Sequence, residues 1–399
     1  MRPIETSDAT SASSLLATLL RREIDASGGW LPFDRFMAMA LYAPALGYYA
    51  NHSRKFGTLP QSGSDFVTAP ELSPLFGAAL ARQVAQALEA SGTNELWEFG
   101  AGSGALAEQL LGALRAAGQA VQRYTIVDLS GTMRERQRER LAKHGAQVQW
   151  VDSLPEQMTG VIVGNEVLDA MPVQLLEFDG AQWFERGVVV ASDEVEPGAW
   201  EPGAGGPGAG EPGAGDLAFA WLRRPTPLRP PFDTAFPPGA VIEIHPLAEA
   251  FIATLAERLT KGAAFFIDYG FPEAEYYHPQ RSGGTLMCHR AHRADADPLV
   301  DVGAKDITAH VNFTALALAA QNAGLAVIGY TTQAHFLMNC GVLDLLQGAD
   351  LKTTANTQKL LTEHEMGELF KVIGFAKGCE PSFNVAPLGF ARGDRTHTL

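Results

Sequence analysis

Between residues 96 and 114 the chain reads Leu96-Trp97-Glu98-Phe99-Gly100-Ala101-Gly102-Ser103-Gly104, then a helix-forming run from Ala105 to Leu114. A strand, a glycine-rich turn and a helix let a nucleotide-like ligand touch bare backbone. Each glycine removes a Cβ, so the ligand approaches closely and the turn can take positive φ. Glu98 adds a carboxylate two residues before the first glycine. A ligand suited to that strand end carries a positive charge or several hydroxyls, and S-adenosylmethionine carries both. The same run also satisfies the G-x-G-x-x-A form of dinucleotide folds, so on its own it also admits a nicotinamide cofactor.

Further acids fall at the ends of the next strands. Asp128 closes Tyr124-Thr125-Ile126-Val127, where a carboxylate can take both hydroxyls of a ribose, in NAD as well as in a methyl donor. Asp152 follows Gln149-Trp150-Val151, where it can accept from an adenine amino group. Asp and Glu are also common as helix caps, but three at consecutive strand ends form a pattern. Asn165, Glu166 and Asp169 follow the fourth strand, Val161-Ile162-Val163. An amide oxygen and two carboxylates are the acceptors that a guanidinium or amine needs to be oriented for in-line attack on a sulfonium. The alternative there is a helix cap by Asn165 with solvated acids. Cys288-His289-Arg290-Ala291-His292 lacks further ligands nearby, so no metal site is expected. His245 and His310 are expected to be packed or hydrogen-bonded.

These residues need a scaffold. From residue 95 the chain alternates: strand 95–99, helix 105–117, strand 123–128, helix 131–143 capped by Ser130, strand 147–151, strand 160–164. Apolar strands alternating with helices predict a parallel sheet covered on both faces. The mixed-charge run Arg134 to Arg140 is expected to be a solvated helix face. Before it, Thr68-Ala69-Pro70-Glu71 reads as a capping box opening a helix whose apolar face is Leu75, Phe76, Ala79, Leu80, Val84 and Leu88. Strands 173–178 and 183–190 suggest a hairpin. Four Pro-Gly-Ala pentapeptides then span 196–215, read as a flexible expansion between two strands of one hairpin, Val188–Val190 and Phe219–Trp221. Strands 241–244 and 263–268 flank helix 246–259, and 271–312 is expected to be irregular. Helix 313–323, strand 326–331, a mostly helical stretch 334–373 and a last strand near 385–391 complete the reading.

The 399 residues allow one large domain with additions, or two. A formal net charge of −15 argues against a phosphate-backbone binder, so no nucleic-acid partner is expected. Three cysteines without a close pair, Cys288, Cys340 and Cys379, argue against a disulfide framework and fit a reducing compartment. The N-terminus lacks a charged–apolar–small signal pattern and no apolar run reaches membrane-spanning length. The expectation is therefore a soluble, cytoplasmic chain with no membrane partner.

Taken together, the ordered blocks resemble the MidA-like methyltransferase family, which includes the mitochondrial complex I assembly methyltransferases. They are Leu41-Tyr42 through Gly47-Tyr48-Tyr49, Asp65 to Ser73 with Phe76-Gly77, Glu98 to Gly104, Gly164-Asn165-Glu166 and Asp169-Ala170-Met171-Pro172. They continue with Ile267-Asp268-Tyr269-Gly270, Gly284-Thr285-Leu286, Asp306 to Val311, and Gly367 to Lys371. The resemblance runs from about residue 30 to 392 outside the insert. It implies S-adenosylmethionine binding and, from the mitochondrial members, symmetric dimethylation of a protein arginine, with a respiratory-complex subunit as one possible partner. It groups Asp65–Glu71, with Thr68 and Glu71, among the cofactor motifs as a lid. Two positions depart: the second-strand acid, often Glu, is Asp128, and the family's Asp after His-Val is Asn312.

The expected fold is a class I methyltransferase: a mostly parallel seven-stranded sheet, a helical N-terminal region and a helical insertion near the C-terminus. The expected division is 1–94 as helical region and lid, 95–333 as methyltransferase core, and 334–399 as helical segment plus final strand. Cofactor contacts are expected from Thr68, Glu71, Glu98, Gly100, Gly102, Gly104, Asp128 and Asp152, and catalysis from Asn165, Glu166 and Asp169. The expected activity is methylation of a protein arginine. The alternatives are a cofactor-binding assembly factor without turnover and an NAD-dependent oxidoreductase.

Overall fold

A computed structural model describes residues 5–51, 67–128, 130–191, 218–290 and 293–399. The Pro-Gly-Ala run 196–215 and the Asp65–Phe66 start of the expected lid lie outside the described residues. The chain forms two compact units. One comprises Met1–Arg54, Ala170–Leu247 and Ala274–His310, and the other Lys55–Asp169, Ala248–Glu273 and Val311–Leu399.

Along the main path of the second unit's sheet lie β1 (Glu95–Phe99), β2 (Arg123–Val127), β3 (Val148–Val151), β4 (Met158–Asn165), β5 (Leu259–Phe271), β6 (Ala326–Thr332) and β7 (Phe370–Lys377). Their order across the sheet is β6-β7-β5-β4-β1-β2-β3. The pairs β1/β2, β2/β3, β1/β4 and β4/β5 are parallel. Strand β7 runs antiparallel to both β5 and β6. A two-residue strand, Val311–Asn312, adds to the end of β5. This is the sheet expected for a class I methyltransferase.

The strands read as near-continuous apolar runs because both faces are covered. Val161, Ile162, Val163, Phe265 and Ile267 are buried, and helix Pro74–Ser91 lays Phe76, Ala79, Leu80, Val84 and Leu88 into one core with Val161, Val163, Phe265 and Ile267. Each Val, Leu, Ile or Phe side chain so removed from water stabilises the fold by about 1.5–3 kcal/mol. The apolar face predicted for this helix is the one that packs. Its cap differs from expectation. Thr68 makes no cap bond, and residues 69–72 form only one short turn. Ser73 instead accepts from the Leu75 amide, with Pro74 in the first position, and opens the long helix.

The last strand also moves. No strand forms near 385–391; Pro381–Val385 is a short helix and Leu388–Phe390 a single 3-10 turn. The final strand is β7, from a segment whose first residues read as helix. Its residues are buried through Ala376, and the β-branched pair Val372-Ile373 sits between β5 and β6, so pairing on both edges overrides local helical preference.

In the first unit, strands 174–178 and 183–190 form the expected hairpin, in a sheet of their own with 31–32, 219–225 and 240–244. Strand 183–190 pairs with 219–225 as expected, matching Val188 with Trp221 and Val190 with Phe219. Residues 271–312 are more regular than anticipated. Met287–Arg290, Arg293–Asp295 and Asp306–Thr308 form a small antiparallel sheet.

Candidate functional site

In the sheet of the second unit, β1 and β4 are neighbours, with Phe99 beside Gly164. From β1 the chain crosses to β2 on one side, and from β4 to β5 on the other. Strand order thus reverses between β1 and β4, which opens a crevice at their carboxyl ends where ligands of such folds bind. The glycine turn leaves β1 at this point, and Asn165-Glu166 leaves β4.

Gly100, Gly102 and Gly104 have φ of 61°, 52° and 82°. A Cβ on Gly100 would lie 3.0 Å from Val167 Cγ2. Glycine therefore occupies each of the left-handed positions of the turn, and helix Ala105–Ala116 follows Gly104 as its cap. Exposed backbone at a helix N-terminus, with a carboxylate below it, fits the amino-acid portion and ribose of S-adenosylmethionine.

Glu98 is 2% exposed and accepts from the Tyr124 hydroxyl at 2.7 Å. Burial pushes its carboxyl up to about 8; the Tyr124 hydrogen bond opposes this, and the charge of Asp128 adds to it. The acid that the sequence placed beside a cation is thus held ready to ionise when one arrives.

Asp128 accepts from the Ser130 amide at 2.8 Å and from Gln137 Nε2 at 2.7 Å. The Gln137 amide also donates to the Gly102 carbonyl at 2.9 Å and accepts from the Trp150 indole N–H at 2.9 Å. Asp152 stands exposed in the bend after β3, and no hydrogen bond among the described residues ties it to Asp128. Thr68 precedes the short turn Ala69–Leu72. Glu71 accepts from the Ser103 hydroxyl of the glycine turn and from Arg140 Nη1, which also donates to Ser103 at 2.8 Å. Glu71 therefore meets the cofactor turn through Ser103 rather than closing a capping box.

The helix Gly131–Leu141 corrects the reading of Arg134–Arg140 as a solvated face. Residues 134, 137 and 140, three apart, form one inward stripe. Arg134 donates to the Asp128 and Val151 carbonyls, Gln137 is fully buried, and Arg140 also bonds Glu108. Gln137 is the uncharged residue within that run. This was the available signal, but without the tertiary fold it did not reveal its partners.

At the end of β4, Asn165 Nδ2 donates to Glu166 Oε1 at 2.8 Å, while its Oδ1 is buried with no hydrogen-bond partner. Glu166 adopts φ 55°, a left-handed conformation that a non-glycine residue takes only at an energetic penalty. It is held there because its amide donates to the Ile267 carbonyl at 2.9 Å and the following loop is clamped. The clamp is Asp268, fully buried, whose Oδ2 accepts from the amides of Val167, Leu168 and Asp169 at 3.1, 2.9 and 3.2 Å. Burial, then the charges of Asp169 and Glu166, raises the Asp268 carboxyl well above the usual carboxylate range. Asp169 is itself buried and accepts from the Tyr269 hydroxyl. The structure thus brings Asn165, Glu166 and Asp169 to one strand end, with Asp268 and Tyr269, which the sequence reading left without roles. Asn312, the departure noted above, caps helix Phe313–Asn322 by accepting from the Ala315 amide, and its Nδ2 lies 3.4 Å from Glu273 Oε1.

Comparison with known proteins points to the same family and cofactor. Residues 79–331 match a family described as "Putative S-adenosyl-L-methionine-dependent methyltransferase". A crystal structure of a Burkholderia thailandensis protein bound to S-adenosyl-homocysteine is 48% identical, covers 100% of both chains and has a TM-score of 0.87. Among curated proteins, the mitochondrial protein arginine methyltransferase NDUFAF7 of Xenopus tropicalis is 26% identical over 84% of this chain and 77% of its own length. The Rattus norvegicus protein of the same name is 27% identical over 79% of this chain and 72% of its own. Those relatives are named mitochondrial, which overturns the expectation of a cytoplasmic chain. No helix among the described residues is long and apolar enough to cross a membrane.

Proposed function

The chain belongs to this family of S-adenosylmethionine-dependent methyltransferases, and from that premise we propose that its methyl acceptor is the guanidinium of an arginine in a partner protein. The observation that carries the reading is the acceptor set at the end of β4. The buried Asn165 Oδ1 has no hydrogen-bond partner, Asn165 Nδ2 donates to Glu166 Oε1, and the buried Asp169 follows in the same clamped loop. A guanidinium carries five N–H donors and no acceptor, so carboxylates with an amide oxygen are its complement. The names of the curated relatives support the same substrate class. A respiratory-complex subunit is the partner that the resemblance to the complex I assembly methyltransferases suggests.

Arginine stays protonated in water at neutral pH, with a pKa above about 12, so its nitrogens are poor nucleophiles. The bound donor supplies a methyl group on a sulfonium. In this proposal Glu166 and Asp169 hold the guanidinium, draw its positive charge to one side and leave the opposite nitrogen electron-rich. Asn165 Oδ1 accepts from that nitrogen and aims it. The nitrogen bonds the methyl carbon as the carbon–sulfur bond breaks, S-adenosylhomocysteine departs with the bonding pair, and one nitrogen proton passes to Glu166 and then to water. Cofactor contacts are assigned to the glycine turn, Glu98, Asp128 and Asp152, and to Thr68 and Glu71, of which Glu71 bonds the turn through Ser103.

The test incubates the full chain with labelled S-adenosylmethionine and a lysate depleted of the endogenous enzyme, followed by mass spectrometry. Label on dimethylarginine of a protein is expected. Label on lysine, a small molecule or nucleic acid refutes the arginine assignment, and no label in any fraction despite tight cofactor binding refutes turnover on protein.

A further inference from the structure

Gln137 joins three segments that meet a cofactor in this fold class. It is fully buried, and both ends of its amide are engaged. Nε2 donates to the Gly102 carbonyl in the turn after β1 and to Asp128 Oδ2 at the end of β2, and Oε1 accepts from the Trp150 indole on β3. These partners fix which way the amide faces, because two acceptors require the nitrogen and one donor requires the oxygen. The Ser130 amide holds the other Asp128 oxygen, so the carboxylate plane is fixed at both oxygens.

We propose that Gln137 is a positioning residue for cofactor binding: it sets the plane of the Asp128 carboxylate toward the donor's ribose hydroxyls and ties it to the glycine turn. The proposal rests on the assignment of Asp128 to the ribose. A ligand gains the full strength of a charge-assisted pair only when the carboxylate already points at it, since reorienting a loose side chain opposes binding. Glutamine is suited to the position. A carboxylate there would lose both donors and put a second negative charge against Asp128, while an apolar side chain would leave the half-buried Trp150 N–H without its Gln137 acceptor.

The test measures S-adenosylhomocysteine affinity by calorimetry for the full chain, Gln137→Met, Gln137→Glu, Asp128→Ala and the Asp128→Ala/Gln137→Met pair, with thermal melts alongside. Gln137→Met and Gln137→Glu are expected to weaken binding about tenfold, the loss of one charge-assisted hydrogen bond. In the Asp128→Ala background Gln137→Met should change affinity less than about threefold, the non-additivity of residues acting as one unit. In the labelling assay, KM for S-adenosylmethionine should rise about tenfold while the rate at saturating donor stays within about twofold. Asp128→Ala binding as the parent does would overturn the ribose assignment and this proposal together. Weakened Asp128→Ala with parent-like Gln137 variants would overturn the proposal alone. So would equal effects of Gln137→Met in both backgrounds, or loss of a cooperative melt in both Gln137 variants, because either shows a role in the fold rather than through Asp128.

Discussion

Tyr124 donates its hydroxyl hydrogen to Glu98 Oε2 across 2.7 Å, and both side chains are buried. Glu98 lies near the carboxyl end of β1 and Tyr124 near the start of β2, and the Glu98 proton is sensitive to pH. The Glu98 carboxyl is raised from 4.5 to about 8, chiefly by burial. Between those values the folded chain keeps a proton that the unfolded chain has lost. Stability from this site is fully present below the lower value and is lost as pH rises through the upper one. Glu98→Gln should therefore gain in melting temperature relative to the parent as pH is raised from about 5.5 to about 8.5. An unchanged difference across that range contradicts the assignment. A cationic ligand favours the ionised form, so binding near pH 7 should release a proton. Calorimetry in buffers of different ionisation enthalpy measures it.

Gly102 holds φ 52° in the glycine turn. Gly102→Val adds a β-branched side chain both to a left-handed residue and to the surface the ligand approaches, so cofactor binding should fall below detection. Asp128→Ala should weaken binding by about 1.5–3 kcal/mol, the range of a hydrogen bond to a charged group. If both variants bind S-adenosylmethionine as the parent does, the site is elsewhere.

Asp268 accepts from three consecutive amides that Asp268→Ala would leave buried and unsatisfied. Unfolding measurements should show a loss of about 3 kcal/mol or more. The expected defect reaches function as well, because the same clamp holds the loop of Glu166 and Asp169.

Glu166→Gly should relieve the left-handed strain at φ 55° while removing the carboxylate. The expected outcome is stability within about 1 kcal/mol of the parent, unchanged cofactor affinity and lost methyl transfer. Glu166→Gln keeps the strain and should show the same loss of transfer. A Gln variant that transfers normally removes Glu166 from the proposed clamp.

The strands on either side of the Pro-Gly-Ala run close on each other: the Ala191 amide donates to the Ala218 carbonyl at 2.9 Å, and Val190 pairs with Phe219. A deletion joining Val195 to Asp216 leaves a short connection between two strand ends already in register. Cofactor binding and melting temperature should both be retained. A large loss of thermal stability would mean that the segment packs.

What this sequence determined by itself was whatever depends on local pattern. The alternation of apolar strands with helices from residue 95 specifies a parallel sheet, because strands covered on both faces must be apolar throughout. The run Gly100-Ala101-Gly102-Ser103-Gly104 specifies a tight turn, because residues without Cβ populate positive φ. Acids at strand ends were legible for the same reason, since a strand end is a local feature. Tertiary structure decided what depends on partners distant in the chain. Phe370–Lys377 became a strand because β5 and β6 offered edges to pair with, against a local reading of helix. Gln137 was drawn from a charged run into a buried amide because the Gly102 carbonyl, the Asp128 carboxylate and the Trp150 indole converge on it from three segments. Asp268, about a hundred residues from the loop it clamps, could not be tied to Glu166 by spacing. A hydrogen bond needs its atoms within about 3 Å, and separation along the chain says nothing about that distance.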